Sequence, residues 1–410
     1  MNGAALDRVF RTASGRIVAA LANRFRDLAL AEDAFSEGCL RAARTWPERG
    51  APADPPAWLY RVSERIALDM LRRRRRREET GPQDVAVEPS PEDAMIDDAW
   101  VIPDERLRLI FICCHPAVAP EARAALTLRL VCGLTVTEIA RAFLVQEATL
   151  AQRLVRAKHK IAEAGVPFEL PSRDAWPERM EAVLSTIEIA YAKAHEDAGG
   201  AGAHAGFAVE MLHLSKLLAD LAPDAGEAFA LAALIRYAEA RRPARVDSFG
   251  VMVPLSGQDP ALWRRDRIAE ADALMTEATR LAPVASRTLQ AQLQRIWCQR
   301  RSLDDPAPWP AVLAHYDRLV ALRDDPIVRL NRAVALAEVE GAAAALGAVE
   351  ALACHALEGF LPYHAVRADL FARTGEADAA RAAYRKALAL GPSQAEARWI
   401  EARLAALEKP

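Results

Sequence analysis

Between Gly133 and Ile161 the chain carries a pattern that admits few folds: a capped helix, a tight turn, and a second helix with two distinct faces. Thr135 and Glu138 stand three residues apart at the head of an apolar run, the spacing of a capping box. In such a box the threonine hydroxyl and the glutamate carboxylate each satisfy a backbone N–H that the first helical turn leaves open. A helix is therefore expected to start there. Ile139, Ala140 and Phe143 give it a buried face, Leu144 and Val145 form a short turn, and a second helix is expected from about Gln146 to Ile161, together a helix-turn-helix.

The second helix bears two stripes. Leu150, Leu154, Ala157 and Ile161 recur at i, i+4, i+7 and i+11 and are expected to pack inward, while Thr149, Gln152, Arg153, Arg156 and Lys160 share a separate polar face. That face has the chemistry of a major-groove reader. Arginine forks onto guanine O6 and N7, glutamine bridges adenine N6 and N7, and lysine neutralises a phosphate. An ordinary amphipathic helix with a solvated basic face has the same local pattern, so both readings stand on this stretch alone.

At 410 residues the chain exceeds one typical core, and two or three domains are expected. Alanine and leucine dominate, aromatics are only 6%, and alternating β-branched runs are few, which predicts an all-α protein. Residues 1–162 hold 25 Lys and Arg against 22 Asp and Glu, the remainder 28 against 34, so the positive excess sits with the helix-turn-helix. The cysteines at 39, 113, 114, 132, 298 and 354 form no CxxC pair, which suits a reduced, cytoplasmic compartment. No basic-then-apolar leader and no run of 18 apolar residues occurs, so neither export nor membrane spanning is expected.

From Arg16 to about Ala43 the pattern is helical, with Ile17, Leu21 and Phe25 on one face and a break near Asp27. Trp46-Pro47 and the stretch Gly50 to Pro56 are expected to form a rigid loop, because each proline fixes its own φ and pushes its predecessor out of helix. A further helix opens at Pro56 or Ala57, carries Trp58, Val62, Ile66 and Met70, and ends in six arginines, Arg72 to Arg77. Residues 78–105 are acidic and proline-containing, a linker with one short helix near 92–100.

Past Pro167 and Pro171 the chain turns to helix pairs punctuated by proline. Ala368, Phe371, Gly375, Ala380, Tyr384, Ala387 and Pro392 fit the 34-residue tetratricopeptide pattern, and Ala271, Met275, Ala278 and Pro283 match the end of an earlier copy. Further helices are expected near 207–221, 226–241, 309–322 and 327–339. The domain plan is thus 1–77, a linker at 78–105, a second module at 106–166, and a TPR-like helical-repeat domain at 167–410.

These residues resemble a family. Leu30-Ala-Glu-Asp-Ala-Phe-Ser-Glu-Gly-Cys-Leu40, Thr45-Trp-Pro47, Ala57-Trp-Leu-Tyr-Arg-Val62, Ala67-Leu-Asp69 and Leu71-Arg-Arg73 resemble the core-binding and −10 region (region 2) of extracytoplasmic-function (ECF) sigma factors of the sigma-70 family. The helix-turn-helix is similar to the −35-reading region (region 4) of the same family. Cys113-Cys-His-Pro116, Ala125-Leu-Thr-Leu-Arg129, Gln258-Asp-Pro-Ala-Leu-Trp263 and Leu330-Asn-Arg-Ala-Val-Ala335 resemble a subgroup with a C-terminal helical-repeat extension in place of a separate anti-sigma partner. The chain departs from the usual residues at Ser36, Arg65, Leu144, Ala148 and Tyr191 to His195.

The resemblance implies two partners, core RNA polymerase and promoter DNA. The helix bearing Glu32, Asp33, Phe35 and Leu40 would dock on the β′ clamp, and the second module on the β flap. The loop at 50–56 and the helix from Trp58 to Arg77 would open and read the −10 element. Basic side chains and stacking rings hold single strands, so Trp58, Tyr60, Arg61 and Arg65 are candidate contacts and Arg72, Arg73 and Arg74 candidate phosphate partners. Trp58 has a second reading as a core tryptophan. By its charge the acidic linker would lie in the positive RNA-exit path, or it is a tether alone; the repeats would take a regulatory protein or peptide and shape the sigma modules, or serve only as a scaffold that stabilises them.

No catalytic constellation, cofactor motif or metal-ligand spacing is found. Cys113, Cys114 and His115 are adjacent rather than spaced for a tetrahedral ion, and His195, His204 and His213 lack a surrounding carboxylate or cysteine pattern. Two other classes remain open: an adaptor in which the repeats do the work, and a conventional duplex-DNA regulator. Neither needs a strand-melting module.

Overall fold

A computed structural model describes residues 3–80, 105–143, 145–172, 174–196, 205–352 and 357–407. The acidic linker between 81 and 104, with its short helix expected near 92–100, lies outside them, as do Leu144 of the turn and His204. Among the described residues, regular structure is helical apart from one isolated antiparallel bridge, Val246 to Met252. The chain divides into two compact units, Met1–Ala190 and Tyr191–Pro410.

The first unit opens with α1 (Gly3–Phe25), α2 (Leu28–Arg49) and α3 (Pro55–Thr80). The break expected near Asp27 is a capped corner. Arg26 takes a positive φ of 56°, and Asp27 accepts the Leu30 N–H at 3.0 Å, which ends one helix and starts the next. The expected loop at Trp46-Pro47 does not form, and α2 runs through both to Arg49. A proline one turn from a helix end forfeits a single backbone bond, and Trp46 offsets the loss by burying its ring against Trp58, centroids 5.3 Å apart and edge to face. Ala34, Val62, Ile66 and Ala67 form the core of this three-helix module, with Phe25, Trp58 and Met70 packed against it.

The second module comprises α4 (Arg106–Cys113), α5 (Pro120–Leu130), α6 (Val136–Ala142) and α7 (Glu147–Glu163), followed by α8 (Trp176–Glu196). Its first helix is nearly all core: Leu109, Ile110, Phe111, Ile112 and Cys113 are buried. Phe111 meets the Trp176 ring at 5.0 Å, and the Arg179 guanidinium donates to the Phe111 carbonyl. The compact unit therefore runs past residue 166 to Ala190. The two modules touch closely. A Cβ built on Gly15 of α1 would lie 2.1 Å from the Val131 carbonyl oxygen after α5, a distance that only glycine permits.

The second unit contains α9 (Ala205–Leu221), α10 (Gly226–Arg241), α11 (Arg265–Leu281), α12 (Ser286–Cys298), α13 (Trp309–Leu322), α14 (Pro326–Val339), α15 (Ala342–Glu350), α16 (Leu361–Arg373), α17 (Ala377–Ala389) and α18 (Gln394–Ala406). Successive helices pack pairwise, α10 on α11, α13 on α14 and α16 on α17, as expected of stacked repeats. Small residues sit where the paired helices meet: Ala368, Ala380 and Ala387 are fully buried around Tyr384, and Gly375 turns the chain at φ 87°. The earlier copy behaves alike, with Ala271, Met275 and Ala278 buried beside Tyr237. The helices expected near 207, 226, 309 and 327 begin at 205, 226, 309 and 326.

Candidate nucleic-acid interface

The helix-turn-helix is built as its local chemistry dictates. The Thr135 N–H donates to a Glu138 carboxylate oxygen at 2.7 Å, and the Glu138 N–H donates to the Thr135 hydroxyl at 3.2 Å, so the capping box closes and α6 starts at Val136. Thr135→Ala is expected to cost about 1 kcal/mol of stability, measurable as faster amide exchange in the first turn of α6. Glu138→Gln, which still accepts both bonds, should cost less.

On α7 the inward stripe is as expected: Leu150, Leu154, Ala157 and Ile161 are buried. On the other side Thr149, Gln152, Arg156 and Lys160 are exposed and Arg153 is half-buried. Gln152 accepts from Arg156 at 3.3 Å, so two candidate base-reading groups lie within one hydrogen bond of each other. Lys160 pairs with Glu163 at 2.8 Å, and that hydrogen bond and charge raise its pKa. Both groups are exposed, so the pair is weak and a phosphate competes readily for the ammonium.

The −10 candidates fall into two groups on α3. Arg72, Arg73 and Arg74 are exposed on its second half, where Arg72 pairs with Asp69 at 3.2 Å and Arg74 lies 3.8 Å from Asp27. Arg61 and Arg65 are half-buried beside Trp58, three and seven residues along the same helix face. Tyr60 differs. It is 3% exposed, and its hydroxyl lies 3.4 Å from Glu64, so its ring packs in the core. Trp58 is half-buried against Trp46, which leaves part of its ring at the surface.

On α2 the candidate polymerase contacts also separate. Asp33 and Leu40 are exposed, Leu40 by 53%, on one surface stripe with Ser36, whereas Phe35 is buried. Glu32 has only 12% of its side chain accessible and is held by the second module. One carboxylate oxygen takes Arg129 Nε at 2.8 Å and the other takes Lys158 Nζ at 2.8 Å. Burial opposes its ionisation, but Lys158 and then Arg129 outweigh it and hold the carboxyl below the ordinary glutamate range. These partners stand 97 and 126 residues away, and no local pattern marks them.

Cys113 and Cys114 are fully buried, and burial first of all pushes both thiols up. Cys114 Sγ lies 3.7 Å from Thr127 Oγ1, and His115 Nδ1 accepts the Ala117 N–H at 3.1 Å. Burial also raises the Cys39 thiol to about 12, against a smaller lowering by Arg129. Among the described residues no three His, Cys, Asp or Glu converge as metal ligands, and no helix is long and apolar enough to cross a membrane.

Comparison with known proteins maps onto these modules. Residues 9–77 match the family described as Sigma-70 region 2, residues 108–161 match Sigma-70, region 4, and residues 179–279 match a family of unknown function, DUF6596. The chain is 36% identical over 403 residues to the uncharacterized protein R00370 of Rhizobium meliloti (strain 1021), covering 97% of this chain and 95% of that one. It is 30% identical over 138 residues to the ECF RNA polymerase sigma factor SigE of Mycolicibacterium smegmatis, covering 32% of this chain and 51% of that one. Among solved structures, yeast Tom70 aligns over 93% of this chain and 80% of its own at 12% identity, with a TM-score of 0.33, too low to assign a fold.

Proposed function

This chain belongs to the sigma-70 family of RNA polymerase sigma factors, in its ECF type, and from that membership we propose that it binds core polymerase and directs promoter-specific initiation under control of its own C-terminal repeats. The observation that carries the reading is the exposed polar face of α7, presented by a capped helix-turn-helix that follows a region 2 module in the order an initiation factor needs. In this reading Gln152, Arg153 and Arg156 read the −35 element, and Thr149 and Lys160 hold its phosphates. Arg61 and Arg65, the accessible part of Trp58, and the Arg72 to Arg74 run meet the melted −10 strand. Asp33 and Leu40 form the exposed part of the surface that meets the β′ clamp, and the second module meets the β flap. The factor works in the cytoplasm by binding alone, without catalysis.

The second unit supports a regulatory role. Its helices line an open cleft of about 610 Å³ whose walls include Trp297, Trp309, Tyr316 and Trp399, together with Arg373 and Asp369. A protein or peptide that places an apolar side chain among these rings would change the state of the repeats.

The test is run-off transcription with purified core polymerase, full-length chain beside a chain ending at Ala190, the end of the first compact unit. The full-length chain should give promoter-specific transcripts, and the shortened one should give them with altered yield or altered response to conditions. Absence of transcripts from both, with no comigration with core polymerase, would return the repeats to the status of an adaptor.

A further inference from the structure

Glu32 stands in a position that an always-available docking residue would not occupy. We propose that it is the latch of a closed form: in the free chain the acidic side of α2 is occupied by Arg129 and Lys158 of the second module, and core polymerase gains Glu32 only by displacing them. This inference rests on the reading of α2 as a polymerase-facing helix.

The geometry supports it from several sides. Both carboxylate oxygens are used, one by each cation at 2.8 Å, so another protein must compete with a cation at either oxygen while the contact holds. The neighbouring Asp33 is exposed, so the occlusion selects Glu32 rather than covering the whole helix. Arg129 is itself anchored, donating through Nη1 to the Leu134 carbonyl at 3.1 Å just before the helix-turn-helix, which ties the latch to the position of α6 and α7. Two further bonds close the same seam: Asn23 Nδ2 donates to Glu105 at 3.1 Å, and Arg26 donates to the Phe168 carbonyl at 2.9 Å.

The closed form hides Glu32 and not the DNA-reading face. Lys158 pairs inward while Thr149, Gln152, Arg156 and Lys160 of the same helix stay exposed. Closure therefore withholds the Glu32 part of the polymerase contact and leaves Asp33, Leu40 and the DNA-reading face accessible. Charge makes the exchange possible. A carboxylate held by two cations in a half-dry site is costly to strip bare, so opening is favourable only when a basic surface of the polymerase replaces them. A partner with a basic face fits this exchange, and a neutral apolar one does not. The affinity for core measured on the free chain is then reduced by the fraction of time the latch is open.

The experiment uses the full-length chain. A zero-length carbodiimide reagent joins a carboxylate and an ammonium only when they touch, and at the Glu32 to Lys158 separation it should yield one cross-linked peptide pair in the free protein. Core polymerase should abolish that pair. Lys158→Ala removes one cation without altering Glu32 or any residue assigned to DNA reading, and should raise the affinity for core, assayed without DNA, by about tenfold, the equivalent of one ion pair of about 1.4 kcal/mol. Circular dichroism identical to the unsubstituted chain checks that the variant is folded. Absence of the cross-link in the free chain overturns the latch, whatever the polymerase does. Equal affinity of both chains for core overturns the gating and leaves the sigma reading standing. A cross-link present in free protein while neither chain binds core at any concentration overturns both.

Discussion

Phe111→Ala should destabilise the second module by about 3–5 kcal/mol, the range for emptying a fully buried phenylalanine site. The side chain is 1% exposed, its ring meets Trp176 at 5.0 Å, and its helix presents Leu109, Ile110 and Ile112 to the same core. Little can collapse into the space, because both α1 and α5 pack against α4. The effect should appear as faster amide exchange throughout α4, α5 and the start of α8, while the repeats of the second unit keep their protection. Phe111→Leu keeps an apolar side chain in the site and should cost markedly less. Unchanged exchange in the start of α8 would mean that Trp176 and Arg179 do not belong to this module.

The second large effect falls on function. Replacing Arg153 and Arg156 together with alanine should weaken promoter recognition by about 2–6 kcal/mol, since a good bidentate base contact is worth roughly 1–3 kcal/mol. That corresponds to a fall of about thirtyfold at the least in specific transcript, with affinity for core polymerase unaltered because neither arginine lies on the α2 seam. Comparing salt dependence separates the roles. Removing an arginine that reads a base leaves the slope of affinity against salt nearly unchanged and relaxes specificity at one position, whereas removing one that neutralises a phosphate reduces the slope by about one. If the double variant still reads its promoter with full affinity and specificity, the reading face of α7 is not the one carrying Gln152.

Much of the architecture is legible in the sequence because it is written in short-range chemistry. The capping box of α6, the corner at Asp27 and the inward stripe of α7 rest on side chains within a few positions of each other, and the small residues of the α16 and α17 pair follow the 34-residue repeat pattern. The expected loop at Trp46-Pro47 is absent for a reason of the opposite kind. Proline near the end of a helix loses little, and whether the helix continues depends on what its neighbouring tryptophan meets, here Trp58 from another helix.

The candidate surfaces divide along the same line. Periodicity places Thr149, Gln152, Arg156 and Lys160 on one exposed face, and they are there. Tyr60 and Phe35 are candidates by resemblance to motifs whose neighbours are exposed, yet both are core residues, because a motif gives the positions on a helix and not the side that its bundle covers. Helices α8, α12, α15 and α18 stand outside the expected set. The apolar residues of α12, Leu289, Leu293 and Trp297, do recur at four-residue spacing, a helical signal strong enough to mark the element.

The helices, most of their ends, the repeat pairing and the polar face of the recognition helix all follow from backbone hydrogen bonding and the 3.6-residue period within one stretch of chain, so the order of residues is enough to specify them. The state of Glu32 is of another kind and depends on how the modules pack. A glutamate on a helix looks the same in sequence whether it faces water, a partner or its own chain, and the cations that hold it come from 97 and 126 residues away. Coulomb attraction depends on distance through space rather than along the chain, so the contact exists only once the two modules are brought together.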